Sequence, residues 1–202
     1  MPSKTAPSPV PGAPADGAPS LDRVTRARLW DNPCWFAFRF NYLAKSYNVP
    51  LYGWVHRRYG LTRPEYIVVH GLGLCGCATA RDLSVSFGFP KNTLSRAIHN
   101  LVRRGLVERA ARKDDRRSYD LRLTARGQAI YDEALPYFVQ LQEDMLRALT
   151  PAERERLSVL LAKVVMDTLT GPPPRAFIAG KWRGAPAKPC ATAARGAMTA
   201  GE

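Results

Sequence analysis

The chain has 202 residues and carries 30 Lys and Arg against 17 Asp and Glu, a formal net charge of +13. That length suits one domain, or two small ones sharing a core, and a hydrophobic content of 46% excludes a wholly disordered or fibrous chain. No apolar stretch reaches the ~18–20 residues of a bilayer span, no secretory pattern opens the chain, and four cysteines are too few for a disulfide scaffold; a basic cytoplasmic protein with a polyanion partner and no membrane is expected.

Residues 1–20 hold six prolines among Ala, Gly and Ser, and are expected to be disordered. The folded domain is expected over 21–170. It begins with an aromatic-rich helix across Asp31–Tyr59, kinked or broken at Asn48-Val49-Pro50. Thr62-Arg63-Pro64-Glu65 reads as a helix start, since Thr62 can cap, Pro64 suits the first turn and Glu65 can reach back. That helix is expected over about 63–72, ending in Gly71, Gly73 and Gly76. Thr79-Ala80-Arg81-Asp82 opens a shorter one with Leu83 and Phe87 as apolar anchors and Gly88 as its stop.

Pro90 starts the next helix, where Leu94, Ala97, Ile98 and Leu101 recur as one buried stripe. The opposite face carries Lys91, Asn92, Thr93, Ser95, Arg96, His99 and Arg103, and Gly105 after Arg103-Arg104 ends the helix. Leu106–Arg109 and Tyr119–Leu123 read as two short strands around a polar loop, Ala110–Ser118, that contains Arg112, Lys113, Arg116 and Arg117. Thr124 begins a long helix to about Leu149 with a kink expected at Pro136, and Thr150-Pro151-Ala152-Glu153 starts the last helix. Leu157, Leu160, Leu161, Val164, Val165 and Thr168 form its apolar stripe, which packing within one chain or between two copies would equally produce. Residues 171–202 form a second expected disordered tail, with a charge of +4.

The local charge is +7 over residues 81–126 and −3 over 127–170, so the polyanion site is expected in the former. Two short helices joined by a tight turn at Ser86–Phe89, then a hairpin with a basic tip, make a winged helix-turn-helix spanning about 62–126. The fold class is therefore mainly α (α+β), and such a unit presents its second helix to the major groove of double-stranded DNA. Asn92, Thr93, Ser95 and Arg96 occupy the exposed first half of that helix beside Lys91. There Arg can pair bidentately with guanine and Asn with adenine. Arg103, Arg104 and Lys113 suit phosphates, and an Arg at the wing tip suits the narrow minor groove.

With those elements placed, the run Leu101…Gly105-Leu106-Val107-Glu108-Arg109, then Asp115-Arg116-Arg117 and Leu121-Arg122-Leu123-Thr124-Ala125-Arg126-Gly127, resembles the wing signature of MarR-type transcriptional regulators. Leu61-Thr62, Leu83 and Leu94-Ser95-Arg96 fall in matching register. The resemblance implies that Asp115 braces the wing by pairing with Arg117 and that Arg117 enters the minor groove. It also implies a homodimer whose dimer layer is built from helices at about 30–59 and 125–169, and a repressor whose operator binding is modulated by a small aromatic effector.

Eleven of the 19 aromatic residues lie within 30–66. Trp35, Phe38, Tyr42 and Trp54 are the effector-pocket candidates among them, although a dimer core needs the same rings. Cys34, in Asn32-Pro33-Cys34-Trp35-Phe36, stands at a helix start, where a thiol is made reactive; the resemblance to peroxide-sensing relatives makes it a redox candidate, and a small buried hydrophobe is the alternative. Cys75-Gly76-Cys77 with His70 falls short of zinc-site spacing and ligand number, so neither metal nor cofactor is expected. No phosphate loop, nucleophile elbow, HExxH or paired-carboxylate motif occurs, so an enzyme is not expected. A nonspecific architectural DNA binder is the stronger rival.

Overall fold

The computed structural model describes residues 21–111 and 119–171. The expected tail at 1–20, all of the expected tail at 171–202 except Gly171, and the wing-tip candidates Arg112, Lys113, Asp115, Arg116 and Arg117 lie outside the described residues. Among the described residues seven helices and one hairpin follow in the order α1 (Arg23–Leu29), α2 (Trp35–Tyr59), α3 (Arg63–Cys75), α4 (Ala80–Phe87), α5 (Lys91–Arg103), β1 (Val107–Ala111), β2 (Tyr119–Leu123), α6 (Ala125–Leu146) and α7 (Pro151–Thr170). The chain divides at Leu51–Tyr52 into two compact units.

In the first unit, α1 is a helix beyond those expected from the sequence. Asp22 caps it by accepting from the backbone N–H groups of Val24 and Thr25 at 3.0 and 2.9 Å. The aromatic helix accordingly starts at Trp35 rather than Asp31, and it runs unbroken through Pro50. A proline deletes one ladder bond and crowds one carbonyl. A 25-residue helix retains enough other bonds to continue, and α6 likewise continues through Pro136.

The second unit packs α3 against α4, α5 and α6. Thr62 and Glu65 form the expected box at the start of α3. Its far end passes Gly71 and Gly73, read from sequence as stop signals, and reaches Cys75. A Cβ at Gly71 would stand 2.8 Å from the Phe87 ring and 2.9 Å from Leu83, and one at Gly73 would overlap the Tyr131 ring. These glycines therefore admit α4 and α6 to close approach, and the helix stops at Gly76 instead, with φ +74° and its N–H on the Leu72 carbonyl.

Tyr66, Val68, Val69, Leu72, Leu94 and Leu101 form the fully buried centre. The strands pair antiparallel, Val107 with Leu123 and Arg109 with Leu121. A further bridge joins Ala78 to Leu121, with Leu121 N–H donating to the Ala78 carbonyl at 2.9 Å. A single bridging residue has no periodicity for a sequence reading to detect. It pins the wing to the start of α4.

Along the α3–α6 contact, His70 stacks on Phe138 at 5.1 Å and lies 5.7 Å from Tyr131 and 6.1 Å from Tyr66. Its buried Nδ1 has no hydrogen-bond partner among the described residues, and burial holds its pKa below the ordinary 6.5. The unfolded chain therefore takes up this proton first. The stability His70 contributes is present above pH ~6.5 and is lost as pH falls below it. The thermal midpoint should fall between pH 6.5 and 5, and less so in His70→Phe, which keeps the stack; equal acid losses in both proteins would remove His70 as the cause.

Candidate DNA interface

The helix-turn-helix is built by capping. Thr79 donates its N–H and hydroxyl to Asp82 Oδ2 at 3.0 and 2.8 Å, and Asp82 N–H returns to the Thr79 hydroxyl at 3.2 Å, which fixes the start of α4. Gly88, at φ +68°, ends α4 in the left-handed region that favours glycine. Ser84 donates its hydroxyl to the Phe89 carbonyl at 2.8 Å across that turn. Pro90 then caps α5, receiving the N–H groups of Thr93 and Leu94 at 3.0 and 3.2 Å. Arg63, at the start of α3, lies over both the Phe89 ring (5.7 Å) and the Tyr52 ring (5.1 Å), steadying this turn.

On α5 the two faces separate as their period requires. Leu94, Ala97, Ile98 and Leu101 are buried, whereas Lys91, Asn92, Ser95, Arg96, His99 and Arg103 are exposed and Thr93 is half-buried. Arg96 leans back along its helix, with Nε 3.5 Å from the Asn92 carbonyl. Exposed cations and amides in adjacent turns can reach base edges and phosphates from one surface.

Arg104 is engaged differently from the other candidates. It donates Nη2 to the Tyr59 carbonyl at 2.8 Å and Nη1 to the Gly60 carbonyl at 3.2 Å, bracing the end of α2. Sequence alone gave no signal for these bonds, since 44 and 45 residues separate the partners.

Trp35, Phe38 and Tyr42 are exposed on the first half of α2. Trp54 stacks on Tyr137 at 4.6 Å and meets Tyr59 edge-on. A cavity of about 320 Å³ beside α5 is lined instead by Thr62, Pro64, Glu65, Thr93, Arg96, Ala97 and Asn100. Cys34 is exposed just before α2, its N–H donating to Asn32 Oδ1 at 2.8 Å. Cys75 donates its thiol to the carbonyls of Gly71 and Cys77, and burial pushes that thiol's pKa up. Among the described residues no group of three or more His, Cys, Asp and Glu could hold a metal ion, and no helix is long and apolar enough to cross a membrane.

A sequence profile of the MarR family matches residues 59–118. The transcriptional regulator HosA of Escherichia coli O157:H7 is 30% identical over 115 residues, 57% of this chain and 84% of its own length. A MarR-family regulator from Silicibacter pomeroyi superposes with a TM-score of 0.60 at 26% identity, covering 66% of this chain and 90% of that one. A mutant of MarR from Escherichia coli, solved in complex with operator DNA, shares the fold, with a TM-score of 0.55 at 24% identity over 64% of this chain and 92% of that one. These relatives are transcriptional regulators rather than enzymes. With the helix-turn-helix, the paired wing strands and the exposed basic face of α5 in place, the chain belongs to the MarR family of DNA-binding transcriptional regulators.

Proposed function

We propose that the protein is a homodimeric repressor that reads its operator through the first half of α5. Arg96 and Asn92 are the base-reading side chains in this reading, with Thr93 and Ser95 beside them. Lys91 and Arg103 take phosphates, while Lys113, Arg116 and Arg117 serve the wing, with Asp115 bracing it. Arg104 acts from behind, through the carbonyls it holds. The observation that carries the reading is the division of α5: a buried apolar stripe fixes the helix, and Lys91, Asn92, Ser95 and Arg96 share the outward side. The uncovered apolar side chains of α7 support the dimer, because Leu160 and Val164 are 60% and 46% exposed in the single chain.

Titration of operator and random duplexes over a range of salt tests the base-reading role. Arg96→Ala should weaken operator binding by about 1–3 kcal/mol and relax sequence preference, whereas Arg103→Ala should weaken all sequences alike and lower the salt slope by about 1. A nonspecific architectural binder would lack the ~10³-fold discrimination expected of a regulator at physiological salt. Equal losses on both duplexes for Arg96→Ala would count against base reading. The exposed rings of Trp35, Phe38 and Tyr42 support a small aromatic effector that lowers operator affinity. Phenolic carboxylates added to the same titration should shift it, and an unchanged curve removes that element.

A further inference from the structure

We infer that Glu65 is a positioning residue for operator recognition, its buried carboxylate holding the recognition helix against the α2–α3 corner. The inference rests on the reading that α5 meets the bases, and adds what sets the pose of that helix.

Among the described residues Glu65 is the buried charged side chain, at 6% exposure. Capping does not require this. At the start of α7, Glu153 makes the same box, accepting from the Thr150 N–H and hydroxyl at 2.8 Å each, and it stays exposed. Glu65 uses one oxygen for its box, with Oε2 accepting from the Thr62 N–H and hydroxyl at 2.8 Å each. Its other oxygen, Oε1, accepts from Asn100 Nδ2 at 3.2 Å, across to α5. A buried carboxylate left with an unfilled oxygen is strongly disfavoured, so the Asn100 bond locks α5 to α3. Burial raises the Glu65 pKa, but the bonds from Thr62 and Asn100 and the nearby charge of Arg104 outweigh it and leave the group ionised below its usual range.

Arg104 follows Asn100 by one turn and grips the Tyr59 and Gly60 carbonyls at 2.8 and 3.2 Å. Arg96 precedes Asn100 by one turn and lines the same cavity as Glu65 and Asn100. Arg96, Asn100 and Arg104 therefore share one side of α5 at successive turns. Two of them are tied to the corner, and the third is the base-reading candidate. Recognition groups must be held within about 0.5 Å and 10–20° of their productive geometry, and this pair of ties restrains both the roll and the tilt of α5.

The test compares the full chain with Asn100→Ala, Glu65→Gln and Arg96→Ala, using an operator duplex selected by the purified protein and a random duplex. Asn100→Ala should lower the operator-to-random affinity ratio about tenfold, with random-duplex affinity within twofold and the salt slope unchanged. Glu65→Gln, which keeps the shape and removes the charge, should lower the ratio in the same direction. The ratio and slope report on the folded fraction alone, so a purely structural role would reduce active protein and leave both unmoved. A ratio within twofold of the unsubstituted protein for both variants, beside a large loss for Arg96→Ala, overturns the positioning role and leaves base reading intact. An unchanged ratio for Arg96→Ala as well overturns the base-reading assignment and the inference together.

Discussion

Gly127→Ala is expected to destabilise the protein by about 1–3 kcal/mol or more, the range for forcing atoms into a filled interior. Gly127 is buried in the first turn of α6, and a Cβ there would fall inside van der Waals contact of the Leu106 carbonyl oxygen. That carbonyl is already used: Thr124 N–H donates to it at 3.1 Å, while the Thr124 hydroxyl donates to the Gly105 carbonyl at 2.8 Å and accepts from Gly127 N–H at 3.2 Å. An added methyl must therefore move backbone that joins the end of the recognition helix, the first wing strand and α6. A flexible side chain would give way more cheaply. The measurement is the unfolding midpoint, expected to fall by several degrees at roughly 2–4 °C per kcal/mol for a chain of this size. Stability within about 0.5 kcal/mol of the unsubstituted protein, the usual range for neutral surface changes, would show that α6 does not close on Leu106 this tightly.

The second large effect concerns α7. Leu160→Glu combined with Val164→Glu should convert the proposed dimer into monomers and lower operator affinity by about 10²–10⁴-fold, the advantage lost when two linked half-site contacts become independent. No residue of α7 is buried, and Val159, Leu160, Val164, Val165, Met166 and Leu169 are all exposed at 46–60%. Burying a Leu or Val contributes about 1.5–3 kcal/mol, and a two-fold interface counts each such contact twice. A helix that leaves this stripe in water gains most from a second copy. Light scattering reads the assembly directly; a double variant that remains dimeric places the interface elsewhere, and retained operator affinity in a monomer removes the two-half-site reading.

Several features were legible because their causes lie within a few residues. The Thr62–Glu65, Thr79–Asp82 and Thr150–Glu153 boxes all form, since each needs only a hydroxyl and a carboxylate three positions apart. The recognition helix was legible for the same reason: a 3.6-residue period alone assigns Leu94, Ala97, Ile98 and Leu101 to the core. The wing strands were legible too, with Tyr119–Leu123 reproduced as read and the first strand extended to Ala111.

Local sequence is least informative where one residue type serves two purposes. Gly71 and Gly73 carry the composition of a helix end, yet they lie inside α3 because neighbouring rings need their missing side chains. Arg104 has the composition of a phosphate ligand, and its exposed guanidinium also holds two carbonyls that no local pattern marks. The apolar stripe of α7 was equally compatible with a core helix and a docking surface, and in the folded chain its Leu160, Val164 and Val165 are exposed.

Caps, periodicity and turn glycines act over one or two helical turns, so local preference assigns the helices and strands, the buried and basic faces of α5, and hence the winged helix-turn-helix. It took the folded chain to show that Glu65 reaches Asn100, that Arg104 braces the end of α2, that Ala78 joins the wing and that no residue of α7 is buried. Those outcomes depend on pairs of groups 35 to 45 residues apart, or on the exposure of a whole helix, and no local preference encodes such distances.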